Sequence, residues 1–188
     1  YACERKGAVR QIAQLNAQLR EANTNLQDIA QHDPLTGLLN RRGLDDKIAV
    51  ETKRAHRAGS DMMALFIDCD DFKLVNDVHG HTIGDQALQA IANVLKKAVR
   101  PTDHVARVGG DEFLVLLLDI RSADAMAVAE KIEEGVRAQQ IASPAGWVRI
   151  SCSMGCCPVG GADTLDLIIR HAEKALKQSK ALGKDMIS

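Results

Sequence analysis

No stretch of this sequence approaches the roughly 18 consecutive apolar residues that a membrane-spanning helix requires. Nor does a charged start lead into an apolar run of the kind that marks a secretory signal. Both absences point to a cytoplasmic domain. A formal net charge of -1 leaves no basic footprint for a nucleic acid polymer. No GxxxxGK[ST] loop occurs, which excludes a Walker-type nucleotide cradle. The five cysteines, Cys3, Cys69, Cys152, Cys156 and Cys157, are odd in number and contain no CxxC pair, so a disulfide framework is not expected. The spacing of Cys152, Cys156 and Cys157 matches no zinc pattern; they read as small buried side chains rather than a metal site.

The chain has 188 residues, 46% hydrophobic and 26% charged, which suits one globular domain with an appendage and leaves no room for a second large core. The appendage is residues 1–32. Ile12, Leu15, Leu19, Ala22, Leu26 and Ile29 are spaced 3, 4, 3, 4 and 3, the a/d repeat of a two-stranded coiled coil. A parallel dimer stalk follows from that repeat; the alternative is one amphipathic helix lying on its own domain. Asp33-Pro34 ends the helix, because the residue before proline disfavours helical backbone. The chain opens on Tyr1, which fits a piece of a longer signalling protein whose sensor lies upstream; any membrane association is expected only through that sensor.

From residue 33 to 188 the elements alternate. Helices are expected over 41–57, 83–99, 122–139 and 164–182, and strands over 62–67, 104–108, 111–118 and 147–153. Gly109-Gly110, between two of those strands, signals a hairpin whose type I′ turn needs positive φ at both central residues. Without the opening helices the order is βαββαβ, a ferredoxin-like α+β core with an antiparallel sheet and helices on one face.

Asp68 ends a buried strand, and Asp111 follows the double glycine. In a ferredoxin-like sheet these two positions are neighbours. Carboxylates without His or Cys make a hard oxygen site, suited to Mg²⁺ or Mn²⁺ shared with phosphate oxygens. Glycines in the turn would let a polyphosphate approach the backbone.

Four separated motifs carry a resemblance to one family. Arg107-Val108-Gly109-Gly110-Asp111-Glu112-Phe113 contains the GGDEF signature intact. Asp33-Pro34-Leu35-Thr36-Gly37-Leu38-Leu39-Asn40-Arg41 is similar to a DxLTGLxNR opening. Between them, residues 68–77 and 80–85 resemble the DxDxFKxxND and GHxxGD stretches. In this order and spacing they resemble the GGDEF diguanylate cyclases, which condense two GTP into cyclic di-GMP. The resemblance implies that Asp68 and Asp111 hold metal through their side chains and Cys69 through its carbonyl. Glu112 would contribute to metal binding or to deprotonating the attacking 3′-hydroxyl. Asn76 and Asp85 match positions that recognise guanine, whose edge an amide and a carboxylate can pair. His81, Gly109 and Gly110 lie in substrate-binding stretches, and Lys73, Lys180 and Lys184 would meet the triphosphate. The family usually has Arg where Lys184 stands, a change that keeps charge and loses bidentate geometry, and commonly Tyr near Lys177.

Arg100-Pro101-Thr102-Asp103 stands where the family carries an RxxD product-inhibition site, so Arg100 and Asp103 are expected to bind cyclic di-GMP. Each domain would bind one GTP, and two would meet as a homodimer. Two other readings are a non-catalytic sensor of GTP or cyclic di-GMP, and a cyclase making a mixed dinucleotide; Asp85 argues for guanine.

Overall fold

The computed structural model describes residues 30–182 together with Leu15, Asn16 and Gln18. The stalk expected over residues 1–32 falls almost entirely outside the described residues. In chain order the elements are β1 (Leu39–Asn40), α1 (Arg41–Ala58), β2 (Met62–Cys69), α2 (Phe72–His79), α3 (His81–Ala98), β3 (His104–Arg107) and β4 (Glu112–Leu118). They continue with α4 (Ser122–Arg137), β5 (Gln140–Ser143), β6 (Gly146–Arg149), β7 (Cys152–Pro158) and α5 (Leu165–Leu182).

Five strands form one sheet in the order β1-β3-β4-β2-β7, and β5 and β6 form a separate hairpin. β2, β3, β4 and β7, joined through α3 and α4, keep the expected βαββαβ connectivity with antiparallel neighbours. β1 adds a parallel edge on β3, so the sheet is mixed rather than antiparallel throughout.

Helices cover both faces of the sheet, not one. Met63, Leu65, Ile67, Phe113, Val115 and Leu117 pack with Ile91, Leu95, Ala129 and Ile132 of α3 and α4. Ala64, Phe66, Leu114 and Leu116 pack with Leu44 and Ile48 of α1 and with Ile168 and Ala172 of α5. The run 62–67 shows no polar alternation because both of its faces are buried, as in sheets sandwiched between helix layers. α1 and α5 supply the second layer.

Two other expectations are corrected. The strand expected over 147–153 is two strands, since β6 turns back on β5 before Ser151 and the chain then enters β7. Residues 72–79, for which no helix or strand was expected, form α2, and α3 begins at His81 directly after Gly80, whose φ of 84° breaks the two helices apart. Among the described residues no helix is long and apolar enough to cross a membrane.

Candidate active site

Asp68 and Glu112 are cross-strand partners at one end of the sheet. The next residue pair, Cys69 and Asp111, is joined by a Cys69 N–H to Asp111 carbonyl bond of 3.2 Å. Hydrogen-bonded and non-hydrogen-bonded pairs alternate along an antiparallel ladder, so Asp68 and Glu112 occupy a non-hydrogen-bonded pair, where side chains stand closest. Their strand positions put both on the α1/α5 face, in step with Phe66 and Leu114. Cys69 points the opposite way, into the α3/α4 core, at 5% exposure.

The electrostatics follow from this crowding. Burial pushes the Glu112 carboxyl up, and the charges of Asp68, Asp111 and Glu173 push it further, with Arg41 acting against them. Burial holds the Cys69 thiol well above its ordinary value, with Cys152, Asp111, Asp68 and Asp70 adding to it. Its side chain turns away from Asp68 and Glu112. Among the described residues no three or more His, Cys, Asp or Glu side chains form a ready-made cage. Like-charged carboxylates with main-chain oxygen fit a hard cation that completes its shell with phosphate and water.

The Gly109-Gly110 turn differs from expectation. Neither glycine has positive φ, so the turn is not type I′. Glu112 carbonyl accepts from both Val108 N–H (2.9 Å) and Gly109 N–H (3.3 Å), which leaves Gly109, Gly110 and Asp111 to round the bend. A Cβ on Gly110 would meet nothing within 4 Å, so the protein's own packing does not demand glycine there.

Asn76 and Asp85 lie on two helices that pack together. Asn76 lies on α2 with its amide against Gly84 of α3; a Cβ on Gly84 would stand 2.0 Å from Asn76 Oδ1. Asp85, the next residue, is exposed on the first turns of α3, and His81 opens that helix. Lys73 is exposed at the start of α2. The side chain of Lys180 and the whole of Lys184 lie outside the described residues.

The family profile described as diguanylate cyclase, GGDEF domain, matches residues 30–186. The chain belongs to that family. This GGDEF domain is 36% identical over 159 residues to the diguanylate cyclase DgcP of Pseudomonas aeruginosa, covering 82% of the chain and 23% of DgcP. It thus spans about a quarter of that relative's length. A crystal structure of the diguanylate cyclase SiaD in complex with its activator SiaC, from the same organism, is similar at a TM-score of 0.82 and 32% identity, covering 97% of this chain and 70% of SiaD. The GGDEF domain of DgcB from Caulobacter crescentus, solved in complex with c-di-GMP, has a TM-score of 0.79 and 26% identity, covering 85% of this chain and 92% of that one.

Arg100 and Asp103 of the GGDEF domain sit at the other end of β3 and β4, beside Leu118, about 20 Å from the acids by the rise of a seven-residue strand. Asp103 Oδ2 accepts from Arg100 N–H (2.9 Å) and its Oδ1 from Leu118 N–H (3.1 Å), so this carboxylate closes its own turn and pins the end of β4. Arg100 lines a cavity of about 440 Å³ together with Arg54, Glu51 and Asp119. Arg54 was not singled out from the sequence; on an exposed helix face it looks like any solvated arginine, and only the packing of α1 beside the 100–103 turn brings the two arginines to one cavity.

Proposed function

We propose that this domain is a diguanylate cyclase, converting two GTP into cyclic di-GMP and two pyrophosphates. One observation carries the reading: Asp68 and Glu112 face each other across the end of β2 and β4 with Asp111 next along the chain, and burial, then the charges of Asp68 and Asp111, pushes the Glu112 carboxyl up. Carboxylates gathered at one strand end suit a hard divalent cation that shares phosphate oxygens.

Asp68, Asp111, Glu112 and the Cys69 carbonyl would hold Mg²⁺ or Mn²⁺. The ion, when bound, lowers the pKa of a 3′-hydroxyl and offsets charge on the departing pyrophosphate. Asn76 and Asp85 would pair with the guanine edge and so select the base, His81 would belong to the same substrate-binding stretch, and Lys73, Lys180 and Lys184 would meet the phosphates. The open side of Gly110 admits the triphosphate close to the turn. In each half-reaction the 3′-oxygen of one GTP bonds to the α-phosphorus of the other, the bond to pyrophosphate breaks, and the hydroxyl proton leaves to a neighbouring acid.

A single domain holds one GTP and therefore half of the reacting atoms. Turnover would require a homodimer, in which the second domain is held at high local concentration. Product binding at Arg100, with Arg54 in the same cavity and Asp103 at the turn, would give feedback inhibition. Two arginines lining one cavity would suit the paired phosphates of a cyclic dinucleotide.

Incubation of the purified chain with GTP and Mg²⁺, with products resolved by mass, tests the reading. Cyclic di-GMP from wild type and none from Asp111→Ala supports it; a folded dimer that makes no cyclic dinucleotide overturns it.

A further inference from the structure

The cavity of about 440 Å³ that Arg54 and Arg100 line also holds a carboxylate, Glu51, one turn before Arg54 on α1. Phosphates alone do not call for an acid, since cations and neutral donors are what grip them. The Glu51 side chain is only 14% exposed, and its charged neighbours are Arg54, whose Nη1 lies 3.7 Å from Oε2, and His104, whose Nε2 lies 3.5 Å from Oε1. Both separations are longer than the roughly 2.7–3.2 Å of a formed hydrogen bond. His104 opens β3 directly after Asp103, and its Nε2 is buried with no hydrogen-bond partner among the described residues. Glu51 thus stands at the cavity between two cationic or donor groups, with neither bond closed.

The other acids near the cavity differ from it. Both oxygens of Asp103 are engaged, Oδ2 by Arg100 N–H and Oδ1 by Leu118 N–H. Asp119 is exposed. A cyclic dinucleotide of guanine presents two kinds of group to such a cavity: phosphates, which suit arginine, and a base edge on which N1–H and N2–H₂ stand side by side as donors. The two oxygens of one carboxylate accept from both donors at once. Adenine offers a donor beside an acceptor along the same edge, so a carboxylate facing it is left with a repelled lone pair.

We infer that Glu51 is the base-reading acid of this cavity: it accepts from N1–H and N2–H₂ of one guanine while Arg54 and Arg100 hold phosphates. This rests on the reading of the Arg100 cavity as the product site. Arg54, on turning to a phosphate, leaves Oε2 to the base, and His104 backs Oε1 from the β3 side. Inhibition is thereby confined to the guanine product.

Equilibrium dialysis of the full chain against cyclic di-GMP and cyclic di-AMP tests this on wild type, Glu51→Gln, Glu51→Asp and Arg100→Ala, with circular dichroism as the check on folding. Wild type is expected to hold cyclic di-GMP at least about thirtyfold more tightly than cyclic di-AMP. In Glu51→Gln one acceptor becomes an N–H that opposes a guanine donor, so cyclic di-GMP affinity falls about tenfold or more while cyclic di-AMP affinity stays within about threefold. Equal losses for both ligands would mean that Glu51 only positions Arg54, equal gains that it only repels phosphate, and an unaltered ratio that the base is read elsewhere; each overturns the inference. If Glu51→Gln does not fold, Glu51→Asp makes the same comparison, because a carboxylate withdrawn by one methylene cannot reach both donors. Cyclic di-GMP binding that is absent from wild type, or unchanged in Arg100→Ala, would instead refute the product-site reading itself.

Discussion

Arg107 Nη1 lies 3.2 Å from both carboxylate oxygens of Asp33, joining the 33–38 loop to the strand that leads into the glycine turn. The other side of the same guanidinium donates to Gly110 carbonyl, through Nε at 3.1 Å and Nη2 at 2.6 Å. One planar group thus holds the first loop of the domain and the turn that carries Asp111. Both side chains are mostly buried, at 16% and 18% exposure, so the pair is screened less than a surface ion pair.

Arg107→Lys is expected to cost about 1–3 kcal/mol of stability and at least about tenfold in turnover, because an ammonium cannot bond Asp33 and Gly110 from one rigid plane. Urea unfolding and cyclic dinucleotide production measured on the same sample check both parts. Unchanged turnover in a folded Arg107→Lys protein would mean that the glycine turn holds its shape unaided.

Asp33 also sets an acid limit on stability. Burial raises its carboxyl, but the Thr36 hydroxyl and N–H bonds, then Arg107, outweigh that and leave it below its ordinary value. A carboxyl lowered in the folded state stabilises fully above its unfolded pKa of about 3.9 and loses that contribution as pH falls through the folded value. Wild type should therefore lose urea resistance between about pH 5 and 2 more steeply than Asp33→Asn. Parallel curves for the two proteins would remove Asp33 from the acid transition.

The proposed metal role of the acid cluster predicts opposite effects on stability and activity. Replacing Asp68 or Asp111 by Asn in metal-free buffer should raise stability by roughly 0.5–1 kcal/mol, as like charges beside Glu112 are removed, while cyclase activity falls at least about a thousandfold. Thermal melts in EDTA set beside product assays with Mg²⁺ separate the effects. A drop in melting temperature for both variants would show that the cluster is not under like-charge strain.

Gly110 and Gly84 should respond oppositely to alanine. Gly110→Ala meets open space, so stability stays within about 0.5 kcal/mol while KM for GTP rises, if the triphosphate uses that space. Gly84→Ala drives a methyl into Asn76 and should cost about 1–3 kcal/mol as well as base selectivity. Melting curves and competition between GTP and ATP distinguish the two.

The thiols should be inert. Cys69 and Cys152 are buried, and burial pushes the Cys157 thiol up to about 12, with Cys156 and Asp163 adding to it. Alkylation at pH 8, read by peptide mass, should leave all three unmodified in native protein and label them in urea. Fast native labelling of Cys69 would contradict the packing of β2 against α3.

Much of the domain was legible in the residue order. The 3.6-residue periodicity of 83–98 gave α3, because seven residues of that helix are buried on one face. The failures share a cause. A run such as 152–157, buried on both faces, carries no alternation to show where a strand begins, so β6 and β7 were read as one. α2 has no fully buried residues: Phe72 and Val75 pack at the edge of the core while its apolar Leu74 and Val78 lie exposed, so its sequence shows no clean apolar stripe. The candidate acids were legible because they stand in motifs; Arg54 and Glu51 acquire meaning only from neighbours distant in sequence.

By itself the sequence determined which residue types could do the chemistry, their order along the chain, and the βαββαβ core, since these follow from local periodicity and motif spacing. Tertiary structure decided which of them meet. The register of β2 with β4 sets Asp68 opposite Glu112, and the register with β7 sets Ser153 opposite Asp68. A shift of one residue in either ladder would turn a whole set of side chains to the other face, and only packing of both faces against four helices excludes that shift.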